Sequence, residues 1–206
     1  MPRRTTPLLA GEYYHLYNRG HNRQPIFFER ENYLFFLRRV REYLRGESQT
    51  SEVWGEPEVR PTSEVWTSIV AYCLMPNHFH LLVCPHDDQL SRRLQRFSIS
   101  YTKAMNNRYE RTGALFQGQF QAVHVDRNDY LLHLSRYIHL NPVAAGLVAR
   151  PEDWEFSSYR EYVNLRRGTL PDPAIVLSQF PTPAAYRAFV ESYKAGDEEI
   201  IAHLLL

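Results

Sequence analysis

Two short apolar segments in the middle of the chain constrain the fold most strongly. Residues 66–74 and 79–84 are rich in β-branched, aromatic and aliphatic side chains, and the tetrapeptide MPNH at 75–78 separates them. Runs of this length bounded by turn residues are typical of buried strands, and a short connection containing Pro and Asn favours a tight turn. We therefore predict two buried strands joined by residues 75–78.

Strand and helix patterns alternate around this pair. Strand patterns occupy residues 13–17 and 120–125, and apolar side chains recur at helical spacing over about 31–44, 90–105 and 128–140. The resulting order, β-α-β-β-α-β-α, contains the split βαβ arrangement. The predicted fold class is α+β, with a ferredoxin-like antiparallel sheet that carries the first two helices on one face.

The chain divides into a core domain and a tail. Residues 1–145 hold the predicted sheet, interrupted at about 46–65 by a loop insertion that is rich in Gly, Pro, Ser and Glu and repeats the pentapeptide TSEVW. Residues 146–206 contain several prolines and one helical pattern around 184–193. We expect this mostly helical extension to pack on the core.

Charge leaves the class of partner open. The formal net charge is +1, and only Lys103 and Lys194 among the 24 basic residues are not arginine. Arginine suits phosphate contacts and stacking on bases, but codon bias in the source genome explains the same preference equally well.

Apolar runs and cysteines exclude several classes of protein. The longest apolar runs are too short to cross a bilayer, and the N-terminal residues lack the pattern of a signal peptide, so we expect a cytoplasmic protein without a membrane partner. Cys73 and Cys84 both fall in strand patterns, which is typical of buried free thiols. Neither a disulfide framework nor a zinc site is indicated.

His78 and His80 lie at the start of the second predicted central strand. Residues i and i+2 of a strand point to the same side of the sheet, so both imidazoles can reach one metal ion while Phe79 packs into the apolar interior. By itself the pair is weak evidence, because buried structural histidines are commoner than ligands. A second group of residues is needed to support a site.

Tyr137 and Asn141 are four residues apart near the end of the third predicted helix. This spacing puts them on one helix face, about a turn from each other. They form either a tyrosine stacked over a carbonyl ligand, or a core residue beside Leu134 and Ile138 followed by an asparagine that caps the helix before Pro142. The residues alone favour the second interpretation.

Four longer motifs follow one another along the chain: YHLYNRGHNRQPIFF (14–28), LMPNHFHLLV (74–83), RTGALFQGQF (111–120) and YIHLNPVAAGLV (137–148). A fifth segment, DWEFSSY, lies at 153–159. In this order, over roughly residues 13–160, the motifs resemble the HUH-type single-tyrosine transposases, in their REP-associated tyrosine transposase branch.

This resemblance implies a site and a reaction. His78 and His80 correspond to the family's ligands for a divalent metal, Mg²⁺ or Mn²⁺, and Asn141 to the third ligand, where relatives often have glutamine. Tyr137 corresponds to the nucleophile that cleaves and rejoins single-stranded DNA at hairpin or palindromic repeats through a 5′-phosphotyrosine. Whether the protein acts as a monomer or as a homodimer stays open at this point. The sequence shows no clear general base.

Other polar residues fit less specific roles. The motifs also contain three candidate DNA contacts, Arg19, Arg111 and Gln117, for which surface or structural roles are equally compatible. Tyr101 falls on a core stripe of the second helix, and His139 lacks a partner at ligand spacing. Two other functions stay open: a non-catalytic nucleic-acid-binding protein on the same scaffold, and a metal phosphoesterase that uses water as its nucleophile.

Overall fold

A single four-stranded sheet forms the centre of the computed structural model, which describes residues 8–47, 65–194 and 196–205. Its strands are β1 (Tyr14–Arg19), β2 (Thr67–Met75), β3 (His78–Pro85) and β4 (Gln121–His124). They lie in the order β2-β3-β1-β4, and every neighbouring pair is antiparallel. The predicted α+β, ferredoxin-like sheet is therefore confirmed. Most of the predicted insertion, residues 48–64, lies outside the described residues.

Three long helices connect or follow the strands: α1 (Arg30–Val40), α2 (Leu90–Arg108) and α3 (Asn128–Ala144). Helix α1 continues into a π-helical turn at Arg41–Arg45. Shorter helices follow α3, namely α4 (Tyr159–Tyr162), α5 (Ala174–Leu177), α6 (Pro183–Glu191) and a 3-10 helix at Asp197–Leu204. In the described part of the chain no helix combines the length and the apolar character that crossing a membrane requires.

Alternate strand residues point to opposite sides of the sheet, so each face has its own core and its own set of helices. On one face, α1 and α2 pack against the sheet; Phe36 of α1, for example, lies 5.0 Å from Phe79 of β3 between ring centroids. On the other face, Leu134 and Ile138 of α3 share a core with Leu82 of β3 and with residues of α4 to α6. The first two helices lie where the sequence predicted them, and α3 and the C-terminal elements cover the opposite face. The division into a 1–145 domain and a 146–206 extension stays a prediction.

The end of α3 differs from its prediction. The helix continues through Pro142 to Ala144 instead of ending at about residue 140. Proline lacks an N–H and removes one helical hydrogen bond, but one lost bond in the last turn does not end a helix that is held by packing. The chain leaves through Gly146, whose φ of +69° suits glycine, and the Leu147 N–H donates to the Pro142 carbonyl at 2.9 Å. Asn141 is therefore fully helical, one turn after Tyr137.

Strand register determines which side chains face α3. In the antiparallel pairing of β1 with β3, Tyr17 lies opposite His80 and Arg19 lies opposite His78. Directly opposed residues point to the same face of the sheet. His15 follows the same alternation, so three residues of β1 share a face with both histidines of β3.

Candidate active site

The two histidines of β3 occupy the start of a central strand. His80 is completely buried, whereas His78 is partly accessible at the strand end. Their rings lie 5.0 Å apart between centroids, with an interplanar angle of 85°. Phe79 points away into the core below α1, so its packing fixes the strand and thereby the orientation of both imidazoles.

Helix α3 brings the other two predicted residues to these histidines. The Asn141 side chain contacts both of them: its Oδ1 lies 3.3 Å from His78 Nε2, and its Nδ2 lies 3.4 Å from His80 Nε2. The Tyr137 ring lies 5.6 Å from the His80 ring between centroids, at 81°. The structure thus brings together all four residues that the motifs singled out, His78, His80, Tyr137 and Asn141.

The opposite ring nitrogens have partners of their own. His78 Nδ1 lies 2.7 Å from Asn77 Oδ1, and His80 Nδ1 lies 2.9 Å from His15 Nε2. His15 Nδ1 in turn lies 2.6 Å from the backbone carbonyl oxygen of Leu204. Sequence reasoning missed both His15 and Leu204. The strand alternation shared by His15 and Tyr17 was the only available signal, and it did not specify the register with β3.

Burial keeps the histidines of this site neutral. Desolvation lowers the pKa of His80 well below its usual range, and the neighbouring His15 and His78 lower it further. The pKa of His78 is lowered by burial and by the positive charge of Arg19, against the hydrogen bond with Asn141, which raises it. Burial also lowers the pKa of His15 to about 4. A neutral imidazole keeps one nitrogen lone pair, which is what a metal ligand requires.

The donor atoms have the chemistry of a divalent-metal site. The Nε2 atoms of His78 and His80 both lie within 3.4 Å of the Asn141 side chain. Adjacent ligands of a metal at bond lengths of about 2.1 Å and right angles would be about 3 Å apart. The 3.3 Å between His78 Nε2 and Asn141 Oδ1 is close to that edge length. Among residues 8–47, 65–194 and 196–205, no group of three or more His, Cys, Asp or Glu side chains could hold a metal ion. The candidate site therefore depends on the oxygen of Asn141.

Two of the three candidate DNA contacts lie beside these donors. Arg19 pairs with His78 across the sheet, and its Nε donates to Gln117 Oε1. The two residues border a cavity of ≈ 380 Å³ whose lining is mostly phenol, amide and guanidinium groups: Tyr17, Asn18, Arg19, Gln117, Gly118, Gln119 and Gln121. Arg111 lies elsewhere, with its guanidinium 5.4 Å from the centre of the Phe28 ring.

Two residues set aside from the site lie in the two cores. Tyr101 is fully buried between α1 and α2, where its hydroxyl donates to the Ile26 carbonyl at 2.8 Å. His139 is fully buried on the α3 side, with Nδ1 2.7 Å from the Tyr186 hydroxyl and Nε2 2.8 Å from Ser158 Oγ. Both side chains use their polar atoms inside the core.

Comparisons with known proteins find similar sequences and a similar fold. The family model described as "Transposase IS200 like" matches residues 61–141, which contain all four residues of the candidate site. A curated protein of Haemophilus influenzae, whose name assigns it to the REP-associated tyrosine transposases, is 32% identical over 107 residues. The aligned part is 46% of this chain and 60% of that protein, so the chain spans less than two thirds of this relative's length.

A solved structure shares the fold. It is a REP-associated tyrosine transposase bound to a REP hairpin, and it superimposes with a TM-score of 0.61 at 17% sequence identity. The match covers 84% of this chain and 98% of that structure. The chain is thus similar in sequence to the IS200-like transposases over residues 61–141 and to a REP-associated tyrosine transposase over 107 residues, and it shares its fold with a solved transposase of that kind.

Proposed function

We propose that this protein is a metal-dependent transposase that cleaves and rejoins single-stranded DNA through a covalent bond between Tyr137 and a DNA phosphate. One observation carries the proposal: Tyr137 lies against His80, 5.6 Å between ring centroids, on the same helix whose Asn141 contacts both His78 and His80. A phenol beside a group of potential metal donors is the arrangement that transfer of a phosphodiester to tyrosine needs.

Three side chains would hold the metal. The Nε2 lone pairs of His78 and His80 and the Oδ1 of Asn141 would bind Mg²⁺ or Mn²⁺ and leave further positions open for oxygen ligands. When bound, the ion supplies positive charge that stabilises a phosphate oxygen and the departing 3′ oxygen. The protein's contribution is to fix the three donors, which it does by placing two on a central strand and one on a packed helix.

Tyr137 would act as the nucleophile. Its Oη forms a bond to phosphorus and loses its proton, while the bond between phosphorus and the 3′ oxygen breaks and that oxygen takes up a proton. The products are a 5′-phosphotyrosine and a free 3′ hydroxyl. Because one phosphodiester replaces another, attack of a 3′ hydroxyl on the phosphotyrosine rejoins the DNA and frees Tyr137. Attack by water would lose that bond energy.

Single-stranded DNA with hairpin-forming repeats is the proposed substrate. The solved relative is bound to a REP hairpin. In this chain, the cavity that Tyr17, Arg19 and Gln117 border offers guanidinium and amide groups, which can contact phosphates and base edges. Arg111 stays a candidate contact at a separate place on the surface.

The decisive experiment traps the covalent intermediate. A hairpin oligonucleotide labelled at its 3′ end is incubated with the protein and Mn²⁺ and then run on a denaturing gel. The wild-type protein should give a labelled protein–DNA adduct, and Tyr137→Phe should give neither cleavage nor adduct although its ring packing is kept. Tyr101→Phe is the matched control, because it also loses one phenolic hydroxyl but should form the adduct normally.

Each contrary result points to a different function. Cleavage without an adduct would indicate a water-using phosphoesterase, and DNA binding without cleavage would indicate a non-catalytic binding protein. Cleavage that persists in chelator or in His80→Ala would refute the metal site. An adduct in Tyr137→Phe would show that another residue is the nucleophile, and mass spectrometry of the peptide would identify it.

A further inference from the structure

A chain of buried hydrogen bonds runs from the C-terminal segment to the candidate metal site. The Leu204 carbonyl, His15 and His80 are joined by contacts of 2.6 Å and 2.9 Å, and all three residues have no solvent exposure. The His15 and His80 rings are stacked with centroids 5.1 Å apart. These contacts connect residues separated by 189 positions in the sequence.

The Leu204 carbonyl, at one end of this series of hydrogen bonds, determines which ring nitrogens of His15 and His80 carry a proton. A carbonyl oxygen can only accept, so His15 must donate from Nδ1 to Leu204. In a neutral imidazole the other nitrogen is then an acceptor, which makes His15 Nε2 accept from His80 Nδ1–H. His80 is thereby left with its lone pair on Nε2, the nitrogen that faces Asn141.

The same tautomer is favoured at His78 by a different set of contacts. Both of its ring nitrogens face amide oxygens that accept, Nδ1 at 2.7 Å from Asn77 Oδ1 and Nε2 at 3.3 Å from Asn141 Oδ1. The shorter contact favours the proton on Nδ1, which leaves the His78 lone pair on Nε2. Both Nε2 lone pairs therefore point to the side chain of Asn141. A metal site needs this tautomer at both histidines, and a hydrogen bond on the outer nitrogen is the usual way in which proteins specify it.

We propose that His15 is a positioning residue for the metal ligand His80, and that the C-terminal segment 197–205 fixes His15 through the Leu204 carbonyl. The inference rests on the proposed metal site. It assigns to the C-terminal segment a part in building that site, in addition to covering one face of the sheet.

The C-terminal segment is anchored firmly enough for this role. The side chains of Ile201 and Leu204 are buried in the core on the α3 side of the sheet. At the start of the segment, the Asp197 carboxylate forms an ion pair of 2.8 Å with Arg136 of α3, whose side chain is only 4% exposed. The carbonyl of Leu204 is thus held by packing on one side and by His15 on the other.

Three substitutions test the proposal. His15→Leu keeps much of the volume but offers no acceptor to His80, and His15→Gln restores an acceptor near the position of Nε2. Tyr101→Phe is the control, because Tyr101 is also fully buried and hydrogen-bonded but lies on α2, in the core on the other face of the sheet. Urea unfolding of each variant records its stability separately.

Two readouts distinguish positioning from structural support. In the metal-free wild-type protein, ¹⁵N NMR of the ring nitrogens should show His80 protonated on Nδ1, and His15→Leu should shift it towards a mixture of tautomers. Mn²⁺ affinity, measured by electron paramagnetic resonance, should fall about 10- to 100-fold in His15→Leu. It should recover largely in His15→Gln and stay near the wild-type value in Tyr101→Phe.

The outcomes separate this inference from the proposed function. If the wild-type protein binds Mn²⁺ and His15→Leu binds it equally well with His80 unchanged in tautomer, His15 has no positioning role. An equal loss of affinity in Tyr101→Phe would also overturn the inference, because the effect would then be a general consequence of lost stability. If the wild-type protein binds no Mn²⁺, the metal site fails, and the tautomer of His80 in the metal-free variants still decides whether His15 orients it.

Discussion

Acidification should destabilise the docking of α3 through His139, the buried histidine between Tyr137 and Asn141. Its Nε2–H donates to Ser158 Oγ, because the Ser158 hydroxyl itself donates to the Tyr72 carbonyl at 3.2 Å. Nδ1 then accepts from the Tyr186 hydroxyl. A second proton on the ring would remove that acceptor and place a charge in the core, and burial accordingly lowers the pKa of His139 to about 3.

The pKa shift determines the sign and the size of the effect. The pKa of the folded state lies below the ordinary value of 6.5, so the unfolded state binds more protons between these two values, and stability falls as pH falls through that window. Between pH 7 and pH 5, the linkage relation gives a loss of about 2 kcal/mol in the free energy of unfolding from this one histidine. Because His139 has no solvent exposure, screening does not reduce this value.

Urea unfolding at the two pH values measures the effect directly. Other buried histidines, His15 among them, add to the acid sensitivity of the wild-type protein, so the comparison must use a variant. His139→Gln keeps an amide that can donate and accept but cannot titrate, and its loss between pH 7 and pH 5 should be about 2 kcal/mol smaller than that of the wild-type protein. Equal losses in both proteins would refute the argument that His139 is held neutral.

Three further outcomes are expected. Tyr101→Phe should lower the free energy of unfolding by about 1 kcal/mol in urea, because it removes the hydrogen bond to the Ile26 carbonyl. Asn141→Ala should weaken Mn²⁺ binding in a paramagnetic resonance titration by about tenfold or more, since it removes the only oxygen donor of the proposed set; unchanged affinity would exclude Asn141 as a ligand. Arg19→Ala should weaken binding of single-stranded DNA in fluorescence anisotropy and reduce the slope of log affinity against log salt by about 0.7, the value for one phosphate contact; an unchanged slope would mean that Arg19 does not touch a phosphate.

The sequence was sufficient for the sheet because its signals are local. The apolar runs at 66–74 and 79–84 fit the buried central strands, and the alternating order of elements restricts the topology to few choices. The His78 and His80 pair follows from the two-residue period of a strand, and Tyr137 with Asn141 follows from the helical period. These spacings do not predict whether the histidine pair of the strand and the Tyr137 and Asn141 pair of the helix lie next to each other in the folded protein. That inference came from the resemblance, and the described structure brings them together.

Contacts between residues far apart in the sequence could not be predicted from local patterns. The contact of His15 with His80 depends on the register of β1 against β3, which turn and strand patterns did not specify. The carbonyl of Leu204 has no sequence signal at all, since every residue has one. The end of α3 was predicted wrongly for a related reason. Proline usually ends a helix, but α3 continues past Pro142 to Ala144 because Ile138 packs in the core and the chain turns only at Gly146.

The neutrality of the proposed donor set has a consequence for catalysis. His78, His80 and Asn141 contribute no negative charge, so a divalent ion held by them would keep its full charge, and the positive charge of Arg19 lies close enough to lower the pKa of His78. At an effective dielectric constant of about 20, two unit charges about 4 Å apart interact by about 4 kcal/mol. A carboxylate ligand would offset part of the attraction between the site and a DNA phosphate. Three neutral donors would instead leave a bound metal to complete its coordination with oxygens of the DNA, which would tie tight binding of the ion to the presence of the substrate.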